Sequence, residues 1–362
     1  MSWALPLNNK KEGGTVLKRI VSVLLVLSIM VLACACSGGT GESSSVPQQE
    51  DDTAQQGVNP LTGLPGLSDE VMATRPVAVM INNIRNAVPQ DGLSDADLIY
   101  EAETEGGITR LLAVYKDWSN LSQIGPVRSA REYYLDFAMP LDAIFVHIGK
   151  SVTASEKMQS IGIDNLDGNF LSGYFFTDRT LAAQRGGQEH ATFITGEELK
   201  KLITDKIEDT STDKQDPVFN FSEYKVVPGD VAAGTISVRF SGYLTGTFQY
   251  QPKTGTYTRS EFGTTLSDRA NGETLAVDNV LILYATGSQH PTYPILKTFT
   301  LDSGTGYYAS RGMAQPITWT KGGTDEPFKL YDTSGEELQI NTGKTWICVV
   351  DKDYQNGTTF SE

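Results

Sequence analysis

The chain is poor in cysteine, in histidine and in positive charge, and it holds one long apolar run. Of its 362 residues three are Cys and three His, and 29 Lys and Arg stand against 44 Asp and Glu, for a formal net charge of −15. Two cysteines, Cys34 and Cys36, adjoin the apolar run. The third, Cys348, stands alone in Thr345-Trp346-Ile347-Cys348-Val349-Val350, where it reads as a small core hydrophobe. No disulfide can therefore form within the folded part. So acidic a surface argues against a nucleic-acid partner and against an electrostatic grip on anionic lipid. Neither His190 nor His290 has metal-like partner spacing. No complete nucleophile set is present: Gly-x-Ser-x-Gly and Ser-x-x-Lys are absent, and Gly343-Lys344-Thr345 has Leu338 where a phosphate loop needs Gly.

The apolar run is the clearest positive feature. Lys18 and Arg19 precede Ile20 to Ala33, and Cys34 follows directly. Such a run makes about 21 Å of helix against a hydrocarbon core of ~30 Å, too short to span and right for a signal-peptide core. Cys34 after Val31-Leu32-Ala33 resembles a bacterial lipobox, with Cys36 the alternative; the expected anchor is an N-terminal diacylglyceryl cysteine in the cell membrane, facing the extracytoplasmic side. Lys11-Glu12-Gly13-Gly14 spells a ribosome-binding site read in frame, which puts the expected start of translation at Val16. Loss of residues 1–33 removes four cations and Glu12, leaving 25 cations against 43 acids and a charge of −18.

From Ser37 to Gly57 the chain is Gly, Ser, Gln, Thr and acid, a disordered tether by composition. The organisation expected is a leader and signal peptide over 1–33, a tether over 34–57, an N-terminal domain over 58–212 and a C-terminal domain over 217–362. The polar stretch Glu208 to Pro217 supplies the boundary. The first domain reads as α+β or α/β: a buried strand Pro76–Ile81 ending at Asn82-Asn83, a hairpin of Leu98–Thr104 and Ile108–Lys116 around Gly106-Gly107, and a strand at 143–148. Helices are expected from Pro126 to Ala138, over Thr153–Ile161 and over Glu197–Lys206. The second reads as β-rich, a barrel or sandwich, with strands near 235–240, 246–251, 255–260, 279–284 and 295–301.

Two constellations carry candidate chemistry. Arg128 and Arg131 fall three apart in the first turn of the helix expected after Pro126, where two cations oppose the helix dipole. An anionic ligand held by the two guanidinium forks would compensate; internal pairing with Glu101, Glu103 or Glu105 would do so equally. Those glutamates alternate along one expected strand and would share a face, with Arg110 on the returning strand as a cross-strand partner. Together with His147 they offer a divalent-cation set or an acid/base pair; a solvated face laced by Arg110 is the plainer reading. Asn82 and Asn83, at the end of the first buried strand, complete the candidate ligand-binding set. No cofactor is expected, and no catalytic residue is assigned.

Asn59-Pro60-Leu61-Thr62-Gly63, Arg75 to Asn83, Glu105 to Arg110, Gly125 to Arg131, Ile317 to Lys321 and Asn341 to Ile347 occur in an order that resembles the YerB-like bacterial lipoproteins. The resemblance implies two domains of unknown function behind a lipid anchor and carries over no activity. The reading that results is a non-catalytic binding or scaffold protein of the cell envelope with an anion site. The alternative is an envelope enzyme acting on phosphorylated glycan or lipid intermediates.

Overall fold

The computed structural model describes residues 57–362. The expected leader, the signal peptide, Cys34, Cys36 and all but the last residue of the tether lie outside the described residues. Among these no helix is long and apolar enough to cross a membrane.

The expected strands form within a few residues of their apolar runs, and others, among them Ser303–Ser310 and Met313–Lys321, join them. In chain order the main ones are β1 (Val77–Asn83), β2 (Leu98–Glu103), β3 (Thr109–Tyr115), β4 (Ile144–His147), β5 (Asn165–Asp167), β6 (Thr235–Arg239), β7 (Thr245–Gln251), β8 (Thr256–Glu261), β9 (Asn279–Gln289), β10 (Ser303–Ser310), β11 (Met313–Lys321), β12 (Thr345–Asp351) and β13 (Thr359–Ser361). Three helices matter here: α1 (Glu132–Ala138), α2 (Val152–Ile161) and α3 (Gly196–Lys206). The result is a mixed α/β N-terminal part followed by a β-rich C-terminal part.

A twelve-stranded sheet includes the order β11-β10-β9-β12-β2-β3-β1-β4-β5. It runs through both parts, because β12 lies parallel to β9 on one side and to β2 on the other. The run Thr345–Asp351 is apolar almost throughout because both of its faces are covered. Trp346, Cys348 and Val350 join one core, and Ile347 and Val349 the other. Over the first face lies a six-stranded sheet built on β8-β7-β6-β13, whose Ile236, Val238, Phe248 and Tyr257 share the core of Trp346 and Cys348. This is the sandwich-like half. The other face takes α1, with Phe137 stacked on Tyr100 at 4.8 Å.

One expected helix is largely absent. Only Glu132–Ala138 of the stretch from Pro126 is helical, and residues before it run extended, Arg131 having φ −128° and ψ 154°. Their backbone bonds go sideways: Arg128 N–H donates to Met80 O at 2.8 Å, and Arg128 O accepts from Ile148 N–H at 3.1 Å. Apolar spacing favours a helix, but ladder bonds on either side outweigh a local preference worth tenths of a kcal/mol per residue. Gly125, at φ 141°, opens the stretch in a conformation that disfavours other residues.

Candidate functional site

The dipole argument for the arginine pair falls with that helix, since Arg128 and Arg131 precede its first turn. The pair is nevertheless part of a cationic cluster. The segment 127–131 runs between the end of β1 and the residues after β4, while the β2–β3 hairpin brings Glu105 and Arg110 up to it. Arg131 grips Glu105 with its fork, Nε on one carboxylate oxygen and Nη2 on the other at 2.7 Å. Its Nη1 donates to Ala130 O at 2.7 Å. Arg110 donates from Nη1 to Ser129 O at 2.6 Å, and its Nη2 is 3.8 Å from Glu105. The Arg110 Nε is buried with no partner among the described residues.

Arg128 differs from both. It is half-buried, and among the described residues its guanidinium makes no ion pair and no hydrogen bond; Glu189 exerts the largest attraction on it and Arg131 the largest repulsion. Three guanidiniums thus stand around one bonded carboxylate. The electrostatics register the excess. Burial, with Arg131 and Arg128 adding to it, pushes the Arg110 guanidinium down to about 10. Burial and Arg131 likewise lower Arg128, against the pull of Glu189. Burial alone would raise the Glu105 carboxyl, but Arg131 and Arg110 outweigh it and hold it below the usual range.

The three glutamates do not share a site. Glu105 lies in the turn after β2, not on the strand. Glu103 reaches Lys297 Nζ at 3.0 Å, which also holds Asp351 at 2.6 Å. Glu101 is fully buried and accepts from Arg259 Nη2 at 2.8 Å and Trp346 Nε1 at 3.0 Å. Each carboxylate therefore serves a different cation. Arg110 pairs in register with Ala102, so it lies across the sheet from Glu101 and reaches only Glu105. Around Glu101 the expected solvated face is instead covered by the six-stranded sheet, through Arg259 and Glu261. Among the described residues no group of three acidic, His or Cys side chains has metal-binding geometry.

His147 and the two asparagines also part company. His147 is buried at the end of β4, with Nδ1 2.8 Å from Gly149 O and Nε2 3.2 Å from Asn165 Oδ1. Burial lowers its pKa despite Asp167, so the ring is a neutral strut away from the glutamates. Asn82 Nδ2 donates to Glu189 O at 2.9 Å and to His190 Nδ1 at 3.0 Å, which borders the arginine cluster through Glu189. Asn83, on the opposite face of β1, donates to Thr109 Oγ1 at 2.8 Å and to Glu101 and Glu261 at 3.2 Å.

That second network was missed in the sequence. Arg259, 1% exposed, lies between Glu101 and Glu261 with its guanidinium carbon 4.5 Å from the centre of the Phe248 ring and 5.1 Å from that of Trp346. The signal was available: Tyr257, Arg259 and Glu261 alternate in Thr-Tyr-Thr-Arg-Ser-Glu, and all three point inward. A side chain at position 246 would meet the guanidinium within 2.0 Å, so β7 carries Gly246 there.

Two family models of unknown function match in tandem, the N-terminal domain of DUF3048 over residues 61–211 and its C-terminal domain over 236–347. The chain is 31% identical over 340 residues to "Putative lipoprotein YerB" of Bacillus subtilis (strain 168), covering 92% of this chain and 96% of that one. The crystal structure of YerB protein from Bacillus subtilis superposes with a TM-score of 0.73 at 29% identity, over 84% of this chain and 99% of that one. With both domains matched in order and the fold shared, the chain belongs to the YerB-like, DUF3048 family.

Proposed function

We propose that this protein is a lipid-anchored, extracytoplasmic lipoprotein of the cell membrane that works by binding, with the Arg110–Arg128–Arg131 cluster taking an anionic group. The observation that carries the reading is Arg128: a half-buried guanidinium without a partner among the described residues, beside an Arg110 whose buried Nε is also unpartnered. The Arg128 donors are free among the described residues, with Glu189 attracting the guanidinium but not bonded to it, and a planar oxyanion such as a phosphoryl or carboxylate group is their natural complement. A relative named as a lipoprotein supports the anchor, together with the Cys34 lipobox.

Thermal unfolding of the full-length protein in detergent micelles tests this. Inorganic phosphate or pyrophosphate is expected to raise Tm beyond sodium chloride of equal ionic strength, the extra stabilisation being about 2.7 kcal/mol at a hundredfold excess over Kd. The chloride control is essential because salt screens the self-repulsion of an acidic chain. Arg128→Gln is expected to remove the anion-specific part alone. Equal shifts in phosphate for wild type and variant would refute the assignment.

A further inference from the structure

We propose a second, separate binding site, on the C-terminal β-rich part, for an uncharged oligosaccharide. An open groove of about 510 Å³ lies over the face of β10 and β11 that carries Tyr307, within the usual size range of ligand clefts. Its floor follows from the pairing register. Thr305 faces Thr318 and Tyr307 faces Pro316 across the two strands, and since the two residues of each strand are two apart, all four side chains stand on one side. One wall is the turn after β12, which contributes the exposed amides of Gln355 and Asn356.

The lining holds no charged residue. That sets it apart from the three other described cavities, which carry Lys329 and Glu337, Lys116 and Asp325, or Glu70 and Lys200. In a chain with 20% charged residues, this exposed cleft offers no counter-charge to an ion of either sign. What it offers instead is a mixture of flat apolar surface and free neutral hydrogen-bonding groups. The Tyr307 ring is half-buried and packed against Phe360 at 4.7 Å and Tyr284 at 6.4 Å, so it is presented at little cost in side-chain entropy. Among the described residues its hydroxyl, the Thr305 and Thr318 hydroxyls and the Gln355 and Asn356 amides have no side-chain hydrogen bond. A sugar ring matches this inventory. Its C–H face is apolar and packs on an aromatic ring, and its hydroxyls donate and accept as side-chain amides and threonines do.

The test is saturation-transfer NMR on the full-length protein in a detergent without a sugar head group, with maltotriose, cellotriose and tri-N-acetylchitotriose as probes. At least one probe is expected to receive magnetisation. Tyr307→Ala should weaken that binding by about tenfold. Thr318→Lys, which puts a charge on the exposed floor without touching the core, should weaken it too while leaving Tm unchanged. Arg128→Gln should leave sugar binding as it was, which separates this groove from the arginine cluster. Transfer to none of the three probes, or transfer that survives both Tyr307→Ala and Thr318→Lys, would overturn the proposal.

Discussion

Arg259→Met is the substitution with the largest consequence for the folded state. The guanidinium is 1% exposed and lies 2.8 Å from Glu101 and 2.7 Å from Glu261, both of them fully buried. Methionine fills much of the volume but leaves Glu261, and Glu101 wherever it ionises, without their cation. Breaking a buried pair in this way costs about 3–5 kcal/mol, mostly as uncompensated charge. For a folded body of this size each kcal/mol lowers Tm by about 2 °C, so a fall of about 6–10 °C is expected. The loss also depends on pH, with a definite sign. Burial lifts the Glu101 carboxyl to about 8, Arg259 pulling it down and Glu261 pushing it up. A carboxyl raised on folding contributes stability that is complete below its unfolded value of about 4.5 and fades as pH climbs towards 8. Without Arg259 the upward push is stronger, so the variant's deficit should be smaller at pH 5 than at pH 8. Thermal unfolding followed by circular dichroism at both values measures it, and adding Glu101→Gln should restore part of the loss. A deficit below about 1 kcal/mol, or one that does not change with pH, would refute the view that Arg259 neutralises a buried acidic pair.

Arg131→Gln should destabilise by about 1–3 kcal/mol by removing both hydrogen bonds to Glu105 and leaving it only the longer Arg110 contact, whereas Arg128→Gln should change stability by less than about 0.5 kcal/mol in chloride; thermal unfolding of both variants checks the contrast. Cys34→Ala is expected to stop palmitate incorporation and leave unprocessed precursor on a gel; labelling that persists there and vanishes in Cys36→Ala would move the anchor to Cys36. Trypsin should cut after Lys214, which lies in an exposed run from Asp213 to Pro217. The two fragments should still elute together from a sizing column, because β12 remains hydrogen-bonded between β9 and β2; separate elution would contradict that continuous sheet.

Much of the fold was legible because apolar runs and Gly turns act locally. The hairpin around Gly106-Gly107 and the helices ending at Ile161 and Lys206 follow from residues a few positions apart, and the structure has them within two or three residues of expectation. Pro126 to Arg131 was illegible for a matching reason. Its apolar spacing fits a helix, but its backbone partners are Met80 and Thr192, Ile148 and Gly149, which only folding brings alongside.

The sequence by itself determined the short apolar run before Cys34, the acidic composition, the strand-forming runs and the candidate residues Arg128 and Arg131, since composition, run length and spacing are properties of neighbours in the chain. Tertiary structure alone decided which charges meet. It sent Glu101 to Arg259, Glu103 to Lys297 and Glu105 to Arg131, partners 158, 194 and 26 residues away in the chain. That allocation left Arg128 unpaired among the described residues. Coulombic pairing falls with distance in space, not along the sequence, so an arginine's partner is fixed only when the sheets have packed.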